Sequence, residues 1–221
     1  MTSVTSPTSH SNPYEPTLRQ GATALGLALD DTQIAQLLGY HALIQKWNKV
    51  YNLTAIRDPA EMLTHHLLDS LAIVAPLQRQ TLGAALNLLD VGAGAGLPGV
   101  VVAICCPQIK VTCVDAVAKK MAFVQQVATE LKLPNLKALH SRVEVLTTKF
   151  DVITSRAFAT LLDFVIGSRA ALKSDSGVWL AMKAKDTSVE IAELPSDVTV
   201  FHVEQLTVLG LDAERCIVWM R

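Results

Sequence analysis

The stretch Asp90-Val-Gly-Ala-Gly-Ala-Gly-Leu-Pro-Gly99 constrains this chain more than any other. It follows an apolar run, Leu86-Asn-Leu-Leu-Asp-Val91, that reads as a buried strand. The glycines permit a tight turn and let backbone approach a ligand with no Cβ in the way. Pro98 presets a helical φ where a helix opens at Gly99. A strand that turns through glycines into a helix opens a twisted α/β sheet, and the carboxyl edge of such a strand is where nucleotide-like ligands sit.

The sequence after the loop repeats that alternation. Strand-like runs recur at Lys110–Asp115, Leu136–His140, Phe150–Ser155, Gly177–Met182, Val198–Val203 and Arg215–Met220. Helical stretches fall between most of them, at Gly99–Ile104, Val117–Leu131, Thr160–Leu172 and Thr187–Glu193. This pattern implies a mostly parallel seven-stranded sheet with helices on both faces. Too few residues separate Val203 from Arg215 for a crossover helix, so the last two strands are expected as an antiparallel hairpin.

Ahead of the loop the periodicity is helical. Ile34, Leu37, Leu38, His41 and Ile44 share one face, with Asp30 or Asp31 as cap and an end near Trp47. Trp47-Asn-Lys-Val-Tyr-Asn-Leu-Thr54 suits a turn. Asp58-Pro59-Ala-Glu61 starts a second helix carrying Met62, His65, His66, Leu68 and Leu71 towards Pro76. The chain is thus read as a disordered Ser/Thr/Pro-rich tail over 1–20, a helical region over 21–80 and one compact unit over 81–221. The tail has no basic n-region or apolar h-region, and no segment approaches the ~20 apolar residues of a membrane span.

Two ligands compete for the loop. Gly94-x-Gly96-x-x-Gly99 fits a dinucleotide fingerprint, which alone is weak. Asp90 favours another choice: a carboxylate at the strand end suits the cationic sulfonium and ammonium of S-adenosyl-L-methionine and opposes a pyrophosphate. Asp115, ending the next strand, is placed to accept both ribose hydroxyls. Simpler roles stay open: Asp90 as a turn residue capping the loop, and Asp115 as a cap for the helix from Val117.

Charge and cysteine content narrow the rest. The formal net charge is −1, without the chain-wide positive excess that nucleic-acid-binding domains often carry. It is unevenly spread. Between Lys110 and Lys149, Lys110, Lys119, Lys120, Lys132, Lys137, Arg142 and Lys149 face only Asp115, Glu130 and Glu144, so a local basic face is possible. Cys105, Cys106, Cys113 and Cys216 form no C-x-x-C pair and lie in apolar stretches, as reduced core thiols do. His65 and His66 point about 100° apart on a helix and do not make a two-ligand site, so no metal is expected. Trp47 and Tyr51 read as packing anchors, with base stacking the alternative.

Six stretches together are similar to one family, the bacterial 16S ribosomal RNA guanine-N7 methyltransferases, also called glucose-inhibited division protein B. They are Trp47–Thr54, His65–Leu71, Asp90–Gly99, Val114–Lys120, His140–Glu144 and Thr154–Ala159. The resemblance implies a Rossmann-like class I S-adenosyl-L-methionine-dependent methyltransferase fold with an antiparallel last strand. It implies cofactor contacts at Gly92 and Leu97 in the loop, at Val143 and Glu144 near the adenine, and at Arg156; the reading of the loop and strand ends adds Asp90, Gly94 and Asp115 as cofactor-binding candidates. Arg156 is also a candidate for positioning the substrate, and no general base is required. Lys119, Lys120, Arg142, Arg156, Lys183 and Lys185 are candidates for holding RNA phosphates, with ordinary solvated surface the alternative for each. The implied substrate is a guanine at position 527, in the 530 loop of 16S RNA, within naked RNA or the small ribosomal subunit or its assembly intermediate. The implied setting is a cytoplasmic monomer with no DNA or membrane partner. Another RNA or a small molecule is the alternative acceptor.

Overall fold

The structure is a computed structural model that describes residues 12–156, 160–184 and 187–221. Seven strands form one sheet: β1 (Asn87–Val91), β2 (Lys110–Asp115), β3 (Leu136–His140), β4 (Val152–Arg156), β5 (Val178–Lys183), β6 (Val200–Leu206) and β7 (Arg215–Met220). Their order is β3-β2-β1-β4-β5-β7-β6. The first five strands pair in parallel, and β7 runs antiparallel to both β5 and β6. The expected hairpin is present, and β7 is inserted between β5 and β6.

Side chains alternate across the sheet and divide the core in two. Leu88, Val111, Cys113, Val152, Leu180 and Trp219 face a helical layer made of α1 (Glu15–Ala24), α2 (Asp31–Tyr51), α6 (Gly99–Cys105) and α7 (Ala118–Glu130). Leu89, Val91, Val114, Ile153, Trp179 and Val218 face α8 (Leu161–Ser168) and α9 (Ser188–Ala192). The N-terminal helices share the first core with the sheet.

The helical region follows its sequence signals at the starts and departs from them further on. Asp30 accepts from Gln33 N and the Gln33 side chain accepts from Asp30 N, a closed capping box for α2. The helix runs past Trp47 to Tyr51 and stops where Asn52 turns left-handed at φ 50°. Asp58 caps α3 (Pro59–Met62). A π-helical stretch, Leu63–Leu68, and the short α4 (Asp69–Leu71) replace the single α-helix expected there. Pro76 lies in the first turn of α5 (Val74–Thr81), where a missing N–H leaves no intrahelical bond unmade.

Three further expectations need correction. Residues 15–20 are helical, because α1 buries Leu18, Gly21 and Ala22, so the tail ends earlier than residue 20. The helix expected over 160–172 ends at Ser168 and continues only as a 3-10 turn, Arg169–Ala171. Phe150 lies outside β4 and makes an isolated bridge with Leu172. Among the described residues no helix is long and apolar enough to cross a membrane.

Candidate active site

The carboxyl ends of β1, β2 and β3 meet around a cleft of about 320 Å³. Gly92 lies at the β1 end, Asp115 and Ala116 at the β2 end, and Arg142, Val143 and Glu144 after β3. Val143–Val145 is a 3-10 turn, which brings Val143 inward and leaves Glu144 exposed. The volume falls at the small end of the roughly 300–1,000 Å³ of ligand pockets.

The loop is shaped by its glycines. Gly92, Gly94 and Gly96 all have positive φ, at 66°, 59° and 90°. A Cβ on Gly99 would come within 2.8 Å of Asp90 Oδ2 and 2.5 Å of Cys113 Sγ. Its absence lets Gly99 N donate to Asp90 Oδ2 at 2.8 Å, which fixes the start of α6. Tyr40 of α2, fully buried, donates from its hydroxyl to Ala95 O at 2.7 Å and braces the loop from behind.

Asp115 joins the loop to the next element. Its Oδ2 accepts from Gly94 N at 3.0 Å, and its Oδ1 accepts from Val117 N at 2.9 Å. Lys120 Nζ is 3.5 Å from Oδ2. Asp115 thus lines the cleft and ties the glycine loop to Val117, the residue that precedes α7. A carboxylate offers about four lone-pair sites, and three partners leave acceptor capacity for a ribose hydroxyl, or for two if Lys120 turns away.

Asp90 is enclosed at 0% exposure and does not line the cleft. The simpler reading of it, as the residue that ties down the loop, describes its position. Burial pushes its carboxyl up to about 7, against the opposing influence of the Gly99 N–H and of Arg156. Its Oδ1 has no hydrogen-bond partner among the described residues. Leu97 also departs from expectation: it packs into the core beneath the loop rather than into the cleft.

Arg156 sits at the end of β4, across β1 from the cleft. Its Nη1 donates to His65 O at 2.8 Å and to Asp69 Oδ2 at 2.9 Å. Nη2 lies 3.5 Å from His66 Nδ1. Arg215 Nε donates to the other Asp69 oxygen at 2.8 Å. His66 is mostly buried, and burial with the Arg156 charge lowers its pKa to about 4. The ring is then neutral near pH 7 and shares a 2.7 Å hydrogen bond between Nε2 and Thr54 Oγ1. Arg156 thus joins β4 to the π-helical stretch instead of lining the cleft, because an acid and a carbonyl there satisfy its donors.

The basic candidates separate. Lys119 and Arg142 are exposed. Lys120 faces Asp115, and Lys183 pairs with Glu190 at 2.8 Å, so these two are committed within the fold. Lys185 lies outside the described residues, as do the last three residues of the Thr154–Ala159 stretch. The four cysteines are buried and form no disulfide among the described residues. Trp47 packs edge-on against Phe123 of α7 at 5.3 Å, the anchoring expected of it.

Tyr40, Asp69 and Arg215 carry no sequence signal as site residues. Tyr40 shares the helical face of Leu37 and Ile44, a periodicity that also describes a purely apolar packing residue. Asp69 falls within a recognised stretch without an assigned role. Arg215 lies 146 positions from its partner, so no local pattern links them.

Residues 33–218 match the pattern of a family described as rRNA small subunit methyltransferase G. A protein named ribosomal RNA small subunit methyltransferase G from Polaromonas sp. strain JS666 is 65% identical over 213 residues, 94% of this chain and 93% of that protein. One of the same name from Acidovorax ebreus is 63% identical over 215 residues, 94% of this chain and 95% of that protein. Among solved structures, magnesium protoporphyrin IX methyltransferase from Synechocystis PCC 6803 with bound SAM superposes with a TM-score of 0.60 at 15% identity, over 87% of this chain and 97% of that one. That likeness carries the fold: a class I methyltransferase sheet with its antiparallel strand.

Proposed function

The chain belongs to the rRNA small subunit methyltransferase G family, and on that premise we propose that it transfers a methyl group from S-adenosyl-L-methionine to N7 of a guanine in 16S ribosomal RNA, at position 527 in the 530 loop. The observation that carries the cofactor half is Asp115 at the end of β2, held by Gly94 N and Val117 N with acceptor capacity towards the cleft. An acceptor held there fits the hydroxyls of a ribose, which would donate to it. Gly92 and Val143 offer flat and apolar walls for an adenine, and Glu144 an acceptor at the rim.

When bound, the cofactor supplies an electrophilic methyl on a sulfonium. The chain's own work is placement. Guanine N7 is a bare acceptor on the major-groove edge and has no proton to lose before it attacks. No general base is needed, and holding N7 in line with the methyl supplies the main rate advantage. Positive charge moves from sulfur to the purine during transfer, so fixed charges near the path matter. Arg156, immobilised by Asp69 and His65 O, stands at the carboxyl end of β4 beside β1, where the strand order reverses and ligands of such sheets enter, and positions the acceptor there. The A-form major groove is too narrow for this edge to be reached in a duplex, which favours a loop nucleotide.

The test is incubation of the purified chain with isotope-labelled S-adenosyl-L-methionine and either naked 16S RNA or small subunits lacking the modification. Label recovered as N7-methylguanosine from either substrate supports the reading. Cofactor binding with no label in any RNA contradicts it.

A further inference from the structure

The last turn of α2 carries a surface that the methyl-transfer site leaves unused. Tyr51 is 42% exposed and Val50 69% exposed. The Tyr51 ring lies 5.0 Å from the Trp47 ring, tilted by 35°, and Trp47 in turn leans on Phe123. An aromatic ring held open to solvent by a second ring fixed to the core is already ordered before it meets a partner. Lys46 and Lys49 are exposed on the last two turns, about 140° and 160° round the helix axis from Tyr51, so a strand that uses all three curls round the helix end.

The packing of α2 against α7 extends this surface. The two helices run antiparallel. Gln36 Nε2 bonds Leu131 O at one end, and Trp47 meets Phe123 further along. Continuing that register carries Tyr51 to the level of Lys119 and Lys120 at the start of α7. Lys119 is exposed, and Lys46, Lys49 and Lys119 enter none of the ion pairs among the described residues. Neither segment holds an acid: residues 46–57 contain Lys46, Lys49 and Arg57 but no Asp or Glu, and residues 116–129 contain Lys119 and Lys120 but no Asp or Glu. In a chain of net charge −1 these are two locally cationic segments, and the aromatic chain Tyr51–Trp47–Phe123 links the helices that carry them.

We propose that this junction of α2 and α7 is the docking strip for an unpaired segment of the RNA substrate, with Tyr51 stacking a base and Lys46, Lys49 and Lys119 holding the adjoining phosphates. The inference rests on the RNA-methyltransferase reading of the cleft and adds where the strand lies outside it. The strip stands at the sheet's carboxyl edge, since Tyr40 of the same helix bonds the glycine loop and Asp115 precedes α7 directly. Base–aromatic stacking together with a cationic track is the usual chemistry of single-strand binding and tolerates many sequences. A protein partner would call for a broader apolar patch than Tyr51 and Val50 provide.

The test measures affinity for an unstructured RNA oligonucleotide and KM for 16S RNA in wild type, Tyr51→Ala, Tyr51→Phe and Lys46→Glu/Lys49→Glu. Trp179 and Trp219 are buried at 4% and 1%, so quenching of tryptophan fluorescence by RNA reports mainly on Trp47. Tyr51→Ala is expected to weaken RNA binding by about tenfold or more and to raise KM, with Tyr51→Phe close to wild type. Melting temperature and S-adenosylhomocysteine affinity should hold. Heparin, an anion without bases, should bind Tyr51→Ala as well as wild type. The double lysine variant should lower the slope of log affinity against log salt by about 0.7 for each phosphate that is no longer neutralised. Normal RNA affinity and KM in Tyr51→Ala and in the lysine variant, with wild type methylating RNA, would overturn the docking strip and leave the methyltransferase reading intact. A wild-type chain that neither binds nor methylates RNA would overturn both.

Discussion

Arg156 Nη1 lies 2.9 Å from Asp69 Oδ2, although the two residues are 87 positions apart. The same carboxylate receives Arg215 at 2.8 Å, and Asp69 is only 4% exposed. One acid therefore joins the helical region to β4 and to β7. Replacing Asp69 by Ala leaves two largely buried guanidiniums without their anion, a change that costs about 3 kcal/mol where burial is of this order. Urea unfolding should show that loss. Asp69→Asn should fold better than Asp69→Ala yet turn over slowly, because Arg156 loses its charged anchor. Wild-type stability and turnover in both variants would remove Asp69 from the account.

Arg156 itself should behave differently from its anchor. Arg156→Ala is expected to reduce kcat at least tenfold while S-adenosylhomocysteine affinity changes little, since the side chain lies outside the cleft. Isothermal titration beside steady-state kinetics separates the two effects. A large fall in cofactor affinity would instead place Arg156 on the cofactor, as the resemblance in sequence implied.

Asp115→Ala removes the acceptor for two backbone N–H groups and the ribose anchor together. The expected outcome is at least a tenfold rise in the Kd for S-adenosylhomocysteine and a stability loss of about 1–2 kcal/mol. Calorimetry and thermal unfolding measure both. Unchanged affinity would move the cofactor away from this cleft.

Asp90 gives a pH signature. Its folded pKa is about 7, against 3.8 for the free side chain, so the native state holds a proton that the unfolded chain has already lost across that interval. Stability from this group is greatest below about pH 4, falls as pH rises towards 7, and stays low above it. His66 works in the opposite direction. It is depressed from 6.5 to about 4, so its contribution grows as pH rises through that range and is complete above about 6.5. Asp90→Asn is neutral at every pH and can still accept from Gly99 N. Relative to wild type, it should gain stability as pH climbs from 5 to about 7, by about 1.4 kcal/mol per pH unit, and level off beyond that. A difference that is flat with pH would refute the raised pKa.

Much of this architecture is written locally. Lys110–Asp115, Leu136–His140 and Arg215–Met220 are apolar runs between polar breaks, and each is a strand with those bounds. The Asp30 cap and the glycine loop are local signals as well, and both are found where their residues stand. The π-helical stretch was not legible, because its Leu and His spacing fits an α-helix equally well over so few residues. Nor was the split among the basic residues. Lys119 and Lys120 are neighbours in sequence, yet only Lys120 reaches Asp115. The placement of Arg156 depended on Asp69 and Arg215, which tertiary packing alone brings together. Asp90 looked like a ligand contact because the residue type and spacing suit a cation; its burial under Gly99 depends on how α6 closes over the sheet.

The central claim is methyl transfer to N7 of guanine in small-subunit RNA. The most direct measurement is mapping of N7-methylguanosine along 16S RNA, by reduction and aniline cleavage, in cells with and without a functional copy of this chain. The account predicts one cleavage, at position 527 in the 530 loop, that disappears when the chain is absent and returns with wild type but not with Asp115→Ala. An identical N7-methylguanosine profile in both strains would contradict it.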